Sequence, residues 1–315
     1  MIDVVALGEL LIDFASRSAD TNGYPTMQAL PGGAPANFLA ALTKYGKSTA
    51  FLGKVGDDTF GHLLVGTVKD AGIETRGIVV DPAVFTTLAF VTFDASGDRS
   101  FSFARKPGAD TRLNWEEVDK TLIDEAKVFH FGTLSLTDEP VRTTTQKCVA
   151  YAKEQGKLIT CDPNLRKPLW RSEAEAKEQI LWSLQQADVV KISDDEVDFL
   201  WSCTPEEGAD KLLNEFDVSL AMVTLGPKGC LLKTKQAVCQ VASPKVNPVD
   251  TTGAGDIFGG SAVYRLLELN KPFAELTAED LHYIGAYAST AASLSTESPG
   301  GIPSIPEKCS VLKAM

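Results

Sequence analysis

The chain has 315 residues, with 30 basic and 42 acidic side chains and a formal net charge of −12. That balance argues against nucleic acid as a main partner, since a phosphate backbone demands clustered Lys and Arg. No run approaches the ~18 apolar residues of a membrane-spanning helix, and 44% hydrophobic with 23% charged residues is an ordinary globular composition. The opening residues MIDVVALGELLIDF place Asp3, Glu9 and Asp13 inside an apolar stretch. A signal peptide would have a basic start and an unbroken apolar core, so a cytoplasmic protein is expected. The cysteines at 148, 161, 203, 230, 239 and 309 include no CxxC pair and read as reduced, mostly buried thiols. His62, His130 and His282 show no metal-ligand spacing.

In chain order, Ile2–Leu7 is a run of apolar β-formers ending at Gly8, the pattern of a buried strand. Residues 14–31 are polar, carry Gly23, Pro25 and Pro31, and read as a loop or a small edge hairpin. Phe38, Leu39, Ala41 and Leu42 share a helical face in Ala34–Tyr45, which stops at Gly46. A strand over 48–55 and a helix over 58–71, closed by Gly72, follow. Two β-rich runs, Thr86–Phe93 and Arg99–Ala104, flank the turn-like Ala95–Asp98 and predict a hairpin, with Phe101 and Phe103 on one covered face. From 115 the pattern alternates: helix 115–124, strand 127–131, helix 139–155, strand 157–162, helix 172–186 and strand 188–192. Helices over 194–202 and 206–215, strands near 220–225, 229–234 and 237–241, and helices over 254–268 and 278–294 complete the pattern. Such alternation implies a mostly parallel sheet covered by helices on both faces. The hairpins at about 14–31 and 86–104 break it. They are expected to pair as a separate small sheet, a lid on a single domain spanning 1–315.

The strongest chemical signal is Asp250-Thr251-Thr252-Gly253-Ala254-Gly255-Asp256, which opens an apolar helix. Small residues let the backbone approach a ligand, and amides at the positive end of a helix suit a phosphate. Asp256, in the first turn, faces the same spot. Two other readings fit these residues. One is a tight turn in which Asp256 merely favours the helix dipole. The other is a dinucleotide site, since Gly253, Gly255 and Gly259 form a GxGxxxG pattern. That fingerprint, however, belongs to the first strand–helix turn of its unit, and an Asp there repels pyrophosphate. No GxxxxGK[ST] sequence is present. A second signal, Pro31-Gly32-Gly33-Ala34-Pro35-Ala36-Asn37, again leads small residues into a helix. Asn37 offers a donor and an acceptor to hydroxyl groups, and Asp13 is an acceptor just past the first strand. Asn37 could equally cap its own helix, and Asp13 could be a solvated loop acid.

Gly32–Asn37, with Gly46, Gly53 and Gly56-Asp57-Asp58-Thr59-Phe60-Gly61, resembles the N-terminal signature of the ribokinase-like (PfkB) carbohydrate kinases. Asp250–Asp256 resembles their C-terminal signature, and both stand in the expected order. Within that family, Phe103–Asp110, Phe129–Leu136 and Asp162–Arg166 are most similar to fructokinases, although 2-keto-3-deoxygluconate kinases carry similar segments. The resemblance implies a ribokinase-like three-layer α/β sandwich with a mostly parallel central sheet and a small β-sheet lid. It also implies an ATP-dependent kinase that phosphorylates the primary hydroxyl of D-fructose to give fructose 6-phosphate. A 2-keto-3-deoxygluconate kinase or ribokinase is the near alternative, and an NAD(P)-binding oxidoreductase the distant one.

By resemblance, Asp256 is the base, and the Gly253, Ala254 and Gly255 amides form an anion hole. Asp13, Gly32, Gly33 and Asn37 would contact sugar hydroxyls, while Arg105 and Arg166 converge on substrate or phosphate. Ser193 and Glu196 stand where many members have Asn-x-x-Glu; Glu196 would hold a magnesium-bound water network, and the same pair also spells a capping box. Thr224, Gly226 and Gly229 resemble the nucleotide loop. Oxygens of Asp250, Thr252, Ser295, Ser298, Gly300 and Ser304 would surround a potassium ion. The implied cofactors are ATP and Mg²⁺, with K⁺ as an addition, and the implied partner is a small-molecule sugar. An exposed edge of the lid sheet offers a route to a homodimer.

Overall fold

The first strand shows why helices cover both faces of the main sheet. In β1 (Ile2–Leu7), Val5 and Leu7 enter one hydrophobic core while Val4 and Ala6 enter another, as the two-residue period of a doubly buried strand dictates. The computed structural model describes residues 1–19, 21–93 and 99–315; the turn expected at Ala95–Asp98 lies outside the described residues.

After β1 come the hairpin β2 (Leu11–Ala19) and β3 (Pro25–Gly32), then α1 (Ala34–Lys44), β4 (Thr49–Gly56), α2 (Thr59–Asp70) and β5 (Ile78–Asp81). A second hairpin, β6 (Leu88–Phe93) and β7 (Arg99–Ala104), precedes α3 (Lys120–Glu125), β8 (Ala126–Gly132), α4 (Val141–Glu154), β9 (Leu158–Asp162) and α5 (Glu173–Leu184). The remainder is β10 (Val189–Ser193), α6 (Asp194–Trp201), α7 (Pro205–Glu215), β11 (Leu220–Thr224), β12 (Cys230–Lys233), β13 (Val238–Val241), α8 (Ala254–Leu269), α9 (Ala278–Ser295) and α10 (Lys308–Ala314). Caps set several of these boundaries. Asp58 accepts the Phe60 and Gly61 amides at 2.9 and 2.8 Å to start α2, and Ser193 with Glu196 closes a capping box on α6.

Nine strands form one sheet in the order β13-β12-β11-β10-β9-β8-β1-β4-β5, parallel except at the antiparallel β11–β12 and β12–β13 pairings. Helices α3–α7 pack on one face and α1, α2, α8, α9 and α10 on the other, giving the three-layer ribokinase-like sandwich. The two hairpins join in a second sheet ordered β3-β2-β6-β7, in which β2 and β6 run parallel. Phe14 anchors that sheet, stacked on Phe90 and edge-on to Phe60 of α2.

Four local expectations change. The helix expected over 115–124 is a 3₁₀ turn, Trp115–Glu117, followed by α3, because Asp119 starts a new helix by accepting the Thr121 amide. Strand β5 and helix α10 were not anticipated, and β2 starts at Leu11 rather than 14. Of the cysteines, 148, 161 and 230 are buried, 203 and 239 half-buried and 309 exposed. Among the described residues no helix is long and apolar enough to cross a membrane.

Candidate active site

A cavity of about 190 Å³ lies where the small sheet overhangs the N-termini of α1 and α8. Leu11, Asp13, Val91 and Phe103 of the small sheet line one side, and Gly33, Ala34 and Asn37 of α1 another. Asn164 and Arg166 after β9, Lys191 on β10 and the Thr251–Asp256 segment close the rest. Strand ends of a parallel sheet are where such clefts form, since helix N-termini and loops converge there.

Asp256 is the focus of this cavity. It sits in the first turn of α8, behind Gly253 at φ +77, a left-handed start that favours glycine. Both carboxylate oxygens are held by amide donors: Asn37 Nδ2 donates to Oδ2 at 2.9 Å and Asn164 Nδ2 to Oδ1 at 3.3 Å. Asn37 does not cap its own helix; its side chain is wedged between Gly253 and Gly301, where an added Cβ on Gly301 would lie 2.2 Å from Asn37 Oδ1. Asn164 is left-handed at φ +49, and its amide donates to Asp162 Oδ1 at 3.1 Å. The first-turn amides of α8 lack helical acceptors and face the cavity end of the helix. The Ala254 amide is partly used, donating to Thr251 O at 3.3 Å.

The charges are arranged unevenly. Burial raises the Asp256 carboxyl, opposed by the Asn37 hydrogen bond and by the Lys191 and Arg166 cations. Burial pushes Asp13 up to about 6, with Arg166 opposing. Lys191 ion-pairs with Asp162 at 3.0 Å; burial works against its ammonium, yet Asp162, Glu196 and Asp256 together hold its pKa above the usual value. Gly255 gives this lysine room, since a Cβ there would stand 3.0 Å from Nζ. Behind the pair, buried His130 stacks on Phe38 and is pushed down to about 3 by burial, so it is neutral.

Other anticipated residues fall into four sets. Gly32 packs against Asp13, whose Oδ2 would be 2.2 Å from an added Cβ, and Gly33 lies on the Glu9 carbonyl. Arg105 does not reach the cavity, contrary to expectation. It is buried, ion-paired with Asp110 at 2.7 Å, and donates to Thr137 Oγ1 at 2.7 Å and to Leu134 O at 2.9 Å, so its fork is fully engaged in anchoring the end of β7. Ser193, Glu196, Thr224, Gly226 and Gly229 cluster at the ends of β10 and β11. There Glu196 Oε1 accepts the Leu165 amide at 2.7 Å and Oε2 accepts from Ser193, so it fastens the 162–166 loop to α6. In the remaining group, Asp250 accepts from Thr252 N at 2.9 Å and from Gly300 N at 3.1 Å, joining those loops. The Ser295 and Ser304 hydroxyls donate to the nearby Ala292 and Gly301 carbonyls, and the Ser298 amide donates to Ser295 O. Glu9, Asn164 and Lys191 line the cavity without having been singled out from sequence.

The pattern describing the pfkB family carbohydrate kinases matches residues 1–308, and the chain belongs to that family. It is a carbohydrate kinase, a phosphotransferase with an alcohol group as acceptor. Fructokinase-1 of Zea mays is 40% identical over 313 residues, covering 98% of this chain and 96% of the relative. A fructokinase with bound ATP from Xylella fastidiosa superposes with a TM-score of 0.91 at 28% identity, covering 100% of this chain and 98% of the other. A fructokinase double mutant from Vibrio cholerae, in a fructose, ADP and potassium ion bound form, gives 0.88 at 30% identity, covering 99% and 98%. The dinucleotide reading of Gly253–Gly259 fails on placement, because those glycines follow an antiparallel edge strand rather than the first strand–helix turn.

Proposed function

We propose that this kinase is an ATP-dependent fructokinase, transferring the terminal phosphoryl group to the primary hydroxyl of D-fructose to give fructose 6-phosphate. The observation that carries this reading is the half-buried Asp256 carboxylate, held by Asn37 and Asn164 at the N-terminus of α8 inside the cavity. Asp256 takes the proton of the attacking hydroxyl, and the 253–255 turn amides with Arg166 receive the charge spread over the transferring group. Asp13, Gly32, Gly33 and Asn37 read the sugar hydroxyls. The likeness to fructokinases at about 40% identity supports fructose, and so does Arg105, whose commitment to Asp110 removes one cation that a 2-keto-3-deoxygluconate carboxylate would need.

ATP would lie across the ends of β10 and β11, along Ser193, Thr224, Gly226 and Gly229. Among the described residues no three His, Cys, Asp or Glu side chains are grouped to hold a metal ion. Both Glu196 oxygens are engaged, so Mg²⁺ would come on the ATP phosphates, keeping several waters and neutralising charge. Potassium would be held by Asp250 and by oxygens of Thr252, Ser295, Ser298, Gly300 and Ser304, mostly main-chain ones where the Ser295 and Ser304 hydroxyls are already donating. The small sheet would act as a lid that excludes water from the transfer, and its edge would pair in a homodimer; a cytoplasmic location suits both substrates.

ADP release from ATP-Mg²⁺ across fructose, ribose, glucose, adenosine and 2-keto-3-deoxygluconate, with and without K⁺, tests the reading. Selective turnover of fructose is expected. Preference for another acceptor would overturn the substrate, and an Asp256→Asn variant with wild-type turnover would overturn the mechanism.

A further inference from the structure

Lys191 is a costly residue where it stands, and the transfer scheme above gives it no task. It is 7% exposed, belongs to β10 and lines the cavity. Its ammonium lies against the start of α8, where a Cβ on Gly255 would be 3.0 Å from Nζ. A buried cation loses its hydration, and the N-terminal end of a helix is the end that disfavours positive charge. Pairing with Asp162 is by itself a poor reason to keep a lysine there, since an apolar pair of similar volume often stabilises as well or better. The contacts show what the pair does. Lys191 Nζ donates to Asp162 Oδ2 at 3.0 Å, Asp162 Oδ1 accepts the Asn164 amide at 3.1 Å, and Asn164 Nδ2 donates to Asp256 Oδ1 at 3.3 Å. The pair therefore fixes the loop whose side chain orients the carboxylate, and the cation stands beside the turn that carries it. Arg166 of the loop after β9 and Asp13 of β2 are the other charged groups facing Asp256. Asp162 of β9 and Glu196 of α6 face Lys191, and His130 of β8 is neutral. Lys191 acts on Asp256 more strongly than Arg166, which is shared with Asp13.

We propose that Lys191 is a positioning residue for the base, acting on Asp256 through the 162–166 loop and through its own charge beside the first turn of α8. The inference rests on the proposed role of Asp256 as the base. Lys191→Met keeps the length of the side chain and removes the charge. Asp162→Asn keeps an acceptor for the Asn164 amide, removes an anion and releases the ammonium from its partner. Steady-state ADP release against pH, with fructose or whichever acceptor of the panel turns over, reads both variants, each checked for folding by its Tm. Losing the cation makes Asp256 harder to deprotonate, so Lys191→Met should move the acid limb of kcat up by at least about one pH unit, a loss of about tenfold along that limb. Asp162→Asn should move the limb down. ATP affinity by calorimetry should stay within about threefold of wild type in both. A merely structural pair would lower Tm and scale the profile without moving its limb. A folded Lys191→Met protein whose limb coincides with wild type overturns the proposal, and so does one that has lost ATP binding, which would assign the ammonium to the phosphates. If Lys191→Met does not fold, Asp162→Asn decides alone, and a limb that stays in place overturns the proposal. Asp256→Asn with wild-type turnover would instead sink the underlying reading; an inactive Asp256→Asn beside an unmoved Lys191→Met limb sinks this inference only.

Discussion

Asn164→Asp tests the arrangement around Asp256 most directly. The substitution keeps the side-chain volume, and Asp tolerates the left-handed backbone at φ +49 much as Asn does. It replaces the donor that stands 3.3 Å from Asp256 Oδ1 with a second carboxylate. Two charges about 4 Å apart at an effective dielectric of ~20 repel by about 4 kcal/mol, up to about three pKa units. Arg166 and Lys191, which both act on Asp256, absorb part of this. A rise of about one to two units remains after their share is taken. The base works only when deprotonated, so a raised pKa moves the acid limb of the turnover profile to higher pH. Turnover should fall most at the acid end of the pH range and recover toward wild type as the pH is raised. Steady-state ADP release across that range, with Asn164→Ala alongside, separates charge from mere loosening, because loosening scales the profile down without moving it. An Asn164→Asp profile whose acid limb coincides with wild type would refute the reasoning.

Asp256→Asn should lower kcat by about 10²–10⁴-fold or more while calorimetry shows ATP binding nearly intact; lost ATP binding would point to a structural role instead. Arg105→Ala strands the buried Asp110 carboxylate and should cost about 3–5 kcal/mol of stability, seen as a lower denaturation midpoint. If it instead raised KM in a protein of wild-type stability, Arg105 would be a substrate contact after all. Burial lifts Asp13 from 3.8 to about 6 in the folded state, so its contribution to stability is full below pH 3.8 and is lost as the pH rises through 6. Asp13→Asn should therefore raise Tm at neutral to alkaline pH while weakening sugar binding, and a Tm unchanged there would count against that burial. Gly229 has φ +113 and room for no Cβ, the Val241 carbonyl lying 1.9 Å from where one would sit. Gly229→Ala should destabilise the protein by at least about 1–3 kcal/mol in chemical denaturation.

What could be read from the sequence follows from how each feature is encoded. Glycines and small residues at 32–36 and 253–255 mark places where backbone must approach a ligand, and that need is visible in the letters themselves. Asp256 and Asn37 were legible because they stand beside those runs. Asn164 meets Asp256 across 92 residues, and only the folded sheet brings the ends of β9 and α8 together. Arg105 was misread for a related reason: its partners Asp110, Thr137 and Leu134 O use up a fork that looks free in a hairpin sequence. Glu9 appeared only as a break in an apolar stretch, since burial is not written in a residue's identity. Strand β5 escaped notice because four residues carry too little alternation, and α10 because it buries Val311 alone.

The parallel pairing of β2 with β6, Ile12 opposite Leu88 and Phe14 opposite Phe90, bears on the order in which the molecule is assembled. These strands meet only after the intervening chain, through α1, β4, α2 and β5, has closed a long loop, an entropic cost the small sheet shares with the β1–β8 pairing of the main sheet. A ribosome must release the chain past Ala104 before Asp13 has its roof. Opening is set by position instead: β1 and β8 lie inside the nine-stranded sheet, whereas the small sheet has only four strands, so amides of β2, β3, β6 and β7 are expected to exchange with solvent first. The acceptor half of the site would then be built from the most readily melted part of the protein, and the Asp256 half from its most durable part.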